Sequence, residues 1–459
     1  MTLRLSPSEF RGLKDYQREH GEALLNALYA NHAALDASDT GTGKTFVACW
    51  LARMLEVVPL VICPKSVVSA WREAGSGMGV ELEVVNYEKA RGVRRKFNVF
   101  HNYLCGPFIQ RRAVSAWGRE VVIGRGSQWR WNSDYEAVIF DEVHRCGGPS
   151  SLTSKLLISA KRQAGYVLAL SATAADDPRQ FKALGSALGL FTLDKYHFWL
   201  LGNGCAPGAF GGYDFASEPN ARQKAFERIH RQIFPARGAR MRKASIPNFP
   251  KTQVRALLVE DEDLKARDLV EEIRDEYIAA GADPAHAHLP AMIRAQQKLE
   301  LLRVPALADL AADYALTSKV VLFVNYTATV DALVQALGKL LKTAVPFIDG
   351  RNPKERDALV DQFQRNRFPA IVANSQACGL GIGLHDPHEQ TDRTALITPA
   401  YNAKTMKQTL GRLPRTGGGF SQQFFVYFAD TLEAKIAAAV SQKFENLDLL
   451  NDATLHGVL

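Results

Sequence analysis

The sequence predicts an α/β protein made of two tandem lobes, each built on a parallel sheet. Three observations carry that expectation: ten short, almost uniformly apolar runs, helix-like stretches between them, and one break in composition after the fifth run. A strand covered on both faces loses the polar/apolar alternation of a half-exposed one, and strands that alternate with helices pair in parallel. The first five runs are Ala33 to Asp36, Leu60 to Cys63, Leu82 to Val85, Ala137 to Phe140 and Tyr166 to Leu170. The second five are Lys319 to Val324, Val345 to Ile348, Ala370 to Ala373, Ala395 to Ile397 and Phe424 to Phe428. Between the sets, about Gly202 to Pro250, the chain is rich in Gly, Pro and basic residues, which marks a boundary. The expected lobes are therefore residues 1–235 and 236–459, with a basic Trp/Arg insertion at about 91–133 in the first.

The chain has 459 residues, 47% hydrophobic and 23% charged, enough apolar material for two cores; disorder as the main state is excluded. Its six cysteines (Cys49, Cys63, Cys105, Cys146, Cys205, Cys378) include no close pair, so neither a zinc knuckle nor a secreted disulfide scaffold is expected. With no apolar leader at the N-terminus and no uninterrupted apolar span of about 18 residues, we expect a cytoplasmic protein without a membrane partner. The net charge of +8 is local. Arg91 to Trp131 carries nine Lys/Arg against Glu120 alone, and Arg222 to Lys251 carries nine against Glu227 alone, so the rest of the chain is net acidic. A charge run is often just a solvated face, but two of them in an acidic chain suggest a track for a polyanion.

The strongest chemical signal follows the first strand: Ser38-Asp39-Thr40-Gly41-Thr42-Gly43-Lys44-Thr45, then a helical stretch from near Phe46. Glycines there let backbone N–H groups turn inward onto phosphate oxygens, and the helix N-terminus adds its dipole. Lys44 can reach the β- and γ-phosphates, and the Thr45 hydroxyl can ligate Mg²⁺. Ser38 stands where a strict phosphate loop has Gly, a place a small residue still fits. Ser38, Thr40, Gly41, Thr42, Gly43, Lys44 and Thr45 are the candidate nucleotide contacts; the alternative is a chance glycine turn before a helix.

About a hundred residues on, the apolar run at 137–140 ends in Asp141-Glu142-Val143-His144. Two acids after a strand are ordinarily a helix cap or a solvated turn. Beside a phosphate loop at the carboxyl end of a parallel sheet, however, Asp141 can hold the metal and Glu142 can orient an attacking water.

On these two elements the chain resembles the superfamily-two helicases and translocases of the DExH type, and the resemblance runs over nearly its whole length. It implies two RecA-like lobes with ATP and Mg²⁺ bound in a cleft between them. Leu13-Lys14-Asp15-Tyr16-Gln17 resembles the Q-motif, which makes Gln17 the candidate reader of the adenine edge. Cys63-Pro64-Lys65-Ser66 with Trp71 resembles motif Ia and Asn86-Tyr87-Glu88 the next motif, so Pro64, Lys65, Ser66, Asn86 and Tyr87 are implied nucleic-acid contacts. Ser171-Ala172-Thr173 matches motif III, implying that Ser171 and Thr173, with His144, couple ATP state to grip.

In the second lobe, 374–384 resembles motif V, implying Ser375 at the nucleic acid and Gly381 at the nucleotide. Gln408-Thr409-Leu410-Gly411-Arg412-Leu413-Pro414-Arg415 resembles motif VI, with Gln408 at the nucleotide. The spacing of three is expected to put Arg412 and Arg415 on one side of a helical turn as arginine fingers; a basic helix end is the alternative.

Several stretches resemble the Swi/Snf-like branch: Val61 to Ser66, Arg240-Met241-Arg242-Lys243, Phe347-Ile348-Asp349-Gly350 and Thr431 to Ile436. The expected activity is an ATP-dependent DNA translocase of compact phage or bacterial type, acting on duplex or branched DNA without sequence specificity. An RNA helicase or the motor subunit of a larger complex is the alternative. A monomer suffices, because one chain carries both halves of the ATP site. In the insertion, Trp129 and Trp131 interleaved with arginines suit stacking on bases, unless the tryptophans only plug a small core.

Overall fold

The computed structural model describes residues 10–91, 93–94, 100–101, 109–110, 129–130, 136–209, 211–260, 266, 268–281, 284–352, 354–378, 382–388, 391–429 and 431–452. It divides after Pro247 into two compact units.

The first unit runs through α1 (Asp15–Asn31), β1 (Ala33–Asp36), α2 (Lys44–Met54), β2 (Pro59–Cys63), α3 (Val68–Met78), β3 (Glu83–Asn86) and α4 (Tyr87–Arg91). It continues with β4 (Ala137–Asp141), α5 (Leu152–Gln163), β5 (Tyr166–Leu170), α6 (Lys182–Ala187), α7 (Tyr196–Gly202), α8 (Pro219–Ile233) and β6 (Gly238–Ala239). The six strands form one sheet in the order β6-β1-β5-β4-β2-β3, every pair parallel. Side chains alternate between its faces as the pleat requires. Ala33, Leu35, Leu60, Ile62, Val138 and Phe140 pack with residues of α5, α6 and α8. Ala34, Val61, Val84, Ile139 and Leu168 pack on the other face with α1, α2 and α3. Both faces are apolar because both are covered, which is why these strands read as continuous apolar runs.

Residues 236–247 lie with this unit rather than with the second lobe, where the sequence reading put them. Gly238 and Ala239 pair with Leu35 and Asp36 and extend the sheet past β1. A Cβ on Gly238 would come within 2.7 Å of the Leu35 carbonyl oxygen, so this close approach needs glycine. A two-residue Gly-Ala strand has no hydropathy signature.

The second unit holds β7 (Thr252–Val259), α9 (Leu269–Ala279), α10 (Pro284–Leu302), α11 (Val304–Tyr314), β8 (Lys319–Val324), α12 (Thr327–Leu341), β9 (Phe347–Ile348) and α13 (Arg356–Gln364). It ends with β10 (Ala370–Asn374), α14 (Ser375–Cys378), β11 (Arg393–Ile397), α15 (Ala403–Leu410), β12 (Ser421–Phe428) and the start of α16 (Leu432–Asp452). Its sheet is again wholly parallel, in the order β7-β12-β11-β8-β10-β9. The two doubly covered parallel sheets are tandem lobes of RecA type. β7 was not among the expected runs. It is an edge strand with five of its eight residues exposed and none buried, and its mixed Thr-Gln-Val-Arg opening reflects that position.

Candidate active site

Strand register brings the chemistry of the first unit to one edge. Asp36 of β1 and Asp141 of β4 both pair with Leu170 of β5, so three strands end level and their following loops emerge side by side. Ligands of open parallel sheets bind at this carboxyl edge.

The loop after β1 turns on Gly41 (φ 85°) and Gly43 (φ 92°), backbone that an L side chain seldom adopts. At Gly43 a Cβ would also lie 2.4 Å from Gln17 Nε2. Lys44 opens α2 and donates Nζ to the carbonyls of Ser38 (2.7 Å) and Asp39 (3.0 Å). Those are neutral acceptors, and a phosphate oxygen is a stronger, charge-assisted partner for the same ammonium. Thr42 is buried with Oγ1 donating to the Asp39 carbonyl at 2.9 Å; Thr40 and Thr45 are half-buried beside it. Gln17 is buried too. Its Nε2 donates to Thr42 O (3.0 Å) and its Oε1 accepts from Lys14 N (3.0 Å), so its amide braces the loop.

Beneath the loop lies a polar cluster absent from the sequence reading. His20 Nε2 sits 3.2 Å from both Asp36 Oδ1 and Ser38 Oγ, and Asp36 Oδ1 also accepts from Ser38 N at 2.9 Å. Burial pushes the Asp36 carboxyl up, but the His20 charge and hydrogen bond, with Lys44 and Ser38, hold it below its ordinary value. The available signal was the i, i+3 spacing of Gln17 and His20, which puts both on one face of α1.

Asp141 is shifted the opposite way from Asp36. Burial and the neighbouring Glu142 charge raise its carboxyl to about 7, while Trp71 Nε1–H (2.9 Å to Oδ2) and the Lys44 charge oppose the rise. A desolvated carboxylate raised in this way gains from a divalent cation, so the Asp141 donor suits Mg²⁺. Glu142 adopts the left-handed region (φ 54°), strain of order 1–3 kcal/mol for a non-glycine residue. His144 Nδ1 lies 3.3 Å from Glu142 Oε2, 3.1 Å from Ser171 Oγ and 3.3 Å from Thr173 Oγ1. One imidazole nitrogen thus joins the acid pair to the loop after β5.

The implied nucleic-acid contacts of this unit divide. Lys65 is exposed and Ser66 half-buried at the carboxyl end of β2, whereas Pro64 is buried. Tyr87 is 1% exposed: its hydroxyl donates to the Asp141 carbonyl at 2.8 Å and its ring lies under Arg145. A ring this enclosed presents no face to a strand; it supports Asp141. Asn86 is buried as well, with Oδ1 accepting from Lys89 N at 2.8 Å to start α4. Trp129 lies in a short antiparallel ladder with Ile109 and Gln110, and Trp131 lies outside the described residues. The basic stretch 222–251 is less free than its count implies, because Arg222, Arg228, Arg237 and Arg240 all bond to acceptors within the chain.

In the second unit Arg412 and Arg415 do not lie on a helical turn. α15 ends at Leu410, Gly411 caps it, and Pro414 bars continuation. The two guanidiniums converge all the same, Arg412 Nη1 (3.1 Å) and Arg415 Nη2 (3.0 Å) both donating to the Ile382 carbonyl. Gln408 and Ser375 are buried, and Gly381 lies outside the described residues. Sequence reasoning missed a buried carboxylate here: Glu300 of α10 accepts from Asn325 N (3.0 Å), Tyr326 N (3.1 Å) and Thr398 Oγ1 (2.7 Å), tying the ends of β8 and β11 to the start of α12.

Residues 303–417 match the helicase conserved C-terminal domain. The chain is similar to the putative ATP-dependent RNA helicase L364 of Acanthamoeba polyphaga mimivirus, at 28% identity over 96% of this chain and 84% of that protein. Among solved structures it is similar to the Sulfolobus solfataricus SWI2/SNF2 ATPase core in complex with dsDNA, at 16% identity over 99% of this chain and 98% of that one, with a TM-score of 0.36. It is also similar to S. cerevisiae Dbp5 bound to RNA and ADP BeF3, at 15% identity over 96% and 92% of the two chains, with a TM-score of 0.49. Tandem parallel lobes and a helicase C-terminal domain match in the second indicate a helicase-type enzyme, a nucleic-acid-dependent ATPase.

Proposed function

We propose that the protein is an ATP-dependent DNA translocase that tracks along duplex or branched DNA without reading its sequence. The observation that carries the ATPase half is the common register of Asp36, Leu170 and Asp141, which sets Lys44, the acid pair and the Ser171–Thr173 loop on one sheet edge. In this reading Lys44 exchanges the carbonyls of Ser38 and Asp39 for phosphate oxygens. Thr45 and Asp141 hold Mg²⁺, which when bound supplies positive charge to the phosphates. Glu142 orients the attacking water, and His144 links Glu142 to Ser171 and Thr173. Arg412 and Arg415 supply guanidinium charge to the transferring phosphoryl group. The choice of DNA rests on the Swi/Snf-like stretches of the sequence. The relative named as an RNA helicase favours a second reading, RNA as the track.

ATPase rates with duplex DNA, single-stranded DNA, forked DNA and RNA separate the two. Stimulation by duplex or forked DNA supports the first reading and stimulation by RNA alone replaces it with the second. Tight binding without stimulation by any of them ends both. Arg415→Ala is expected to lower stimulated turnover by ~10³ to 10⁵ with no rescue by Lys, since a point charge does not replace a planar fork.

A further inference from the structure

The phosphate loop is held from two sides. Its backbone carbonyls at Ser38 and Asp39 take the Lys44 ammonium, while the side chains of the same two residues take the stretch that leads out of the first unit. Asp39 Oδ1 accepts from Arg240 Nη2 at 3.0 Å, and Asp39 Oδ2 from Lys243 N at 3.0 Å. Ser38 Oγ accepts from Met241 N at 2.9 Å, and Met241 O in turn accepts from Asp39 N at 3.0 Å. The ion pair is largely enclosed, with 9% of the Arg240 side chain and 19% of the Asp39 side chain exposed. Four residues after Lys243 the first unit ends, at Pro247.

Two residues therefore carry both attachments. When the Lys44 ammonium leaves their carbonyls for a phosphate, the Ser38 and Asp39 carbonyls each lose a charge-assisted bond, and the Asp39 carbonyl keeps only the weaker one from Thr42 Oγ1. Asp39 and Ser38 cannot turn without pulling on Arg240, Met241 and Lys243. The Arg240-Met241-Arg242-Lys243 stretch has no place among the catalytic groups, yet three of its four residues are fastened to the phosphate loop. A fastening needed only to close the sheet edge would stop at Ala239, whose carbonyl already accepts from Ala37 N at 3.0 Å.

We propose that Asp39 and Arg240 are a positioning pair that couples occupancy of the phosphate loop to the connector between the units, and so links ATP binding to nucleic-acid affinity. This rests on the reading of the protein as a nucleic-acid-dependent ATPase and assigns the link within it to one ion pair. Neither residue touches the reacting atoms in this scheme.

The test measures affinity for a labelled duplex with and without a non-hydrolysable ATP analogue, in the whole protein. In the wild type the two affinities are expected to differ by a factor within about 5 to 150, the usual range of coupling between sites. Arg240→Gln is expected to bring that factor close to one while each ligand, added alone, binds as it does to the wild type. Arg240→Lys keeps the charge and should retain most of the coupling. Asp39→Asn combined with Arg240→Gln should be no worse than Arg240→Gln alone, because the pair acts as a unit. Unchanged coupling in Arg240→Gln overturns the proposal, as does equal weakening of both single ligands, which marks a purely structural staple. A wild type that binds the analogue and nucleic acids, RNA included, without any coupling overturns this link and leaves the ATPase reading to its own turnover assay.

Discussion

His385 shows how a half-buried imidazole beside arginines makes stability depend on pH. Burial, then the charges of Arg415 and Arg393, bring its pKa down to about 4, with only Asp386 opposing. The imidazole stays neutral next to two guanidiniums. The unfolded chain takes up this proton near the ordinary value of 6.5, the folded one only near 4, so between them the unfolded state binds more protons. Stability contributed here is fully present above about 6.5 and falls as pH drops towards 4. Urea unfolding of wild type and His385→Asn at pH 7 and pH 5 is expected to show a smaller acid-induced loss in the variant. Equal losses in both would remove His385 from the account. Gly383 makes the arrangement possible, since a Cβ there would come within 2.9 Å of His385 Nδ1.

Among the elements of the second unit, α11, β12 and α16 are joined by one buried ion pair. Arg303, fully buried just before α11, forks onto Glu433 in α16, Nη1 to Oε2 at 2.5 Å and Nη2 to Oε1 at 2.6 Å. Arg303 Nη1 also donates to Val426 O at 2.8 Å, and Phe428 N to Glu433 Oε2 at 3.3 Å, which ties both ends to β12. Desolvation offsets much of the attraction in such a pair, but removing one partner strands a buried charge. Arg303→Met alone is expected to cost about 3–5 kcal/mol in urea unfolding, and Arg303→Met with Glu433→Leu to recover most of it. Additive losses in the double variant would show that the pair does not act as a unit.

For the whole molecule, net charge overstates the surface available to a polyanion. The stretch 222–251 spends Arg237 on Leu188 O and Gln232 O and Arg240 on Asp39. An exposed lysine such as Lys65 is a different case, open to one phosphate and committed to none of these contacts. Lys65→Ala should weaken binding of duplexes of any sequence alike and reduce the slope of log affinity against log salt by about 1. A loss confined to particular sequences, or an unchanged slope, would exclude Lys65 from the backbone contacts.

Sequence by itself determined the two parallel sheets, because strands covered on both faces must be apolar throughout, and that leaves a readable run in each. It also made legible the glycine loop at residues 38–45 and the acid pair after β4, because glycines, lysine and carboxylates in that order are set by local backbone geometry. Tertiary structure alone decided which polar groups support them. Trp71 beneath Asp141, His20 beneath Ser38, Glu300 at the ends of β8 and β11, and Arg240 on Asp39 are partners brought together across 18 to 201 residues of chain. Tertiary structure also withdrew Tyr87 from the expected nucleic-acid face and took Arg412 and Arg415 off a helix, since enclosure and convergence on one carbonyl depend on packing and leave no local pattern.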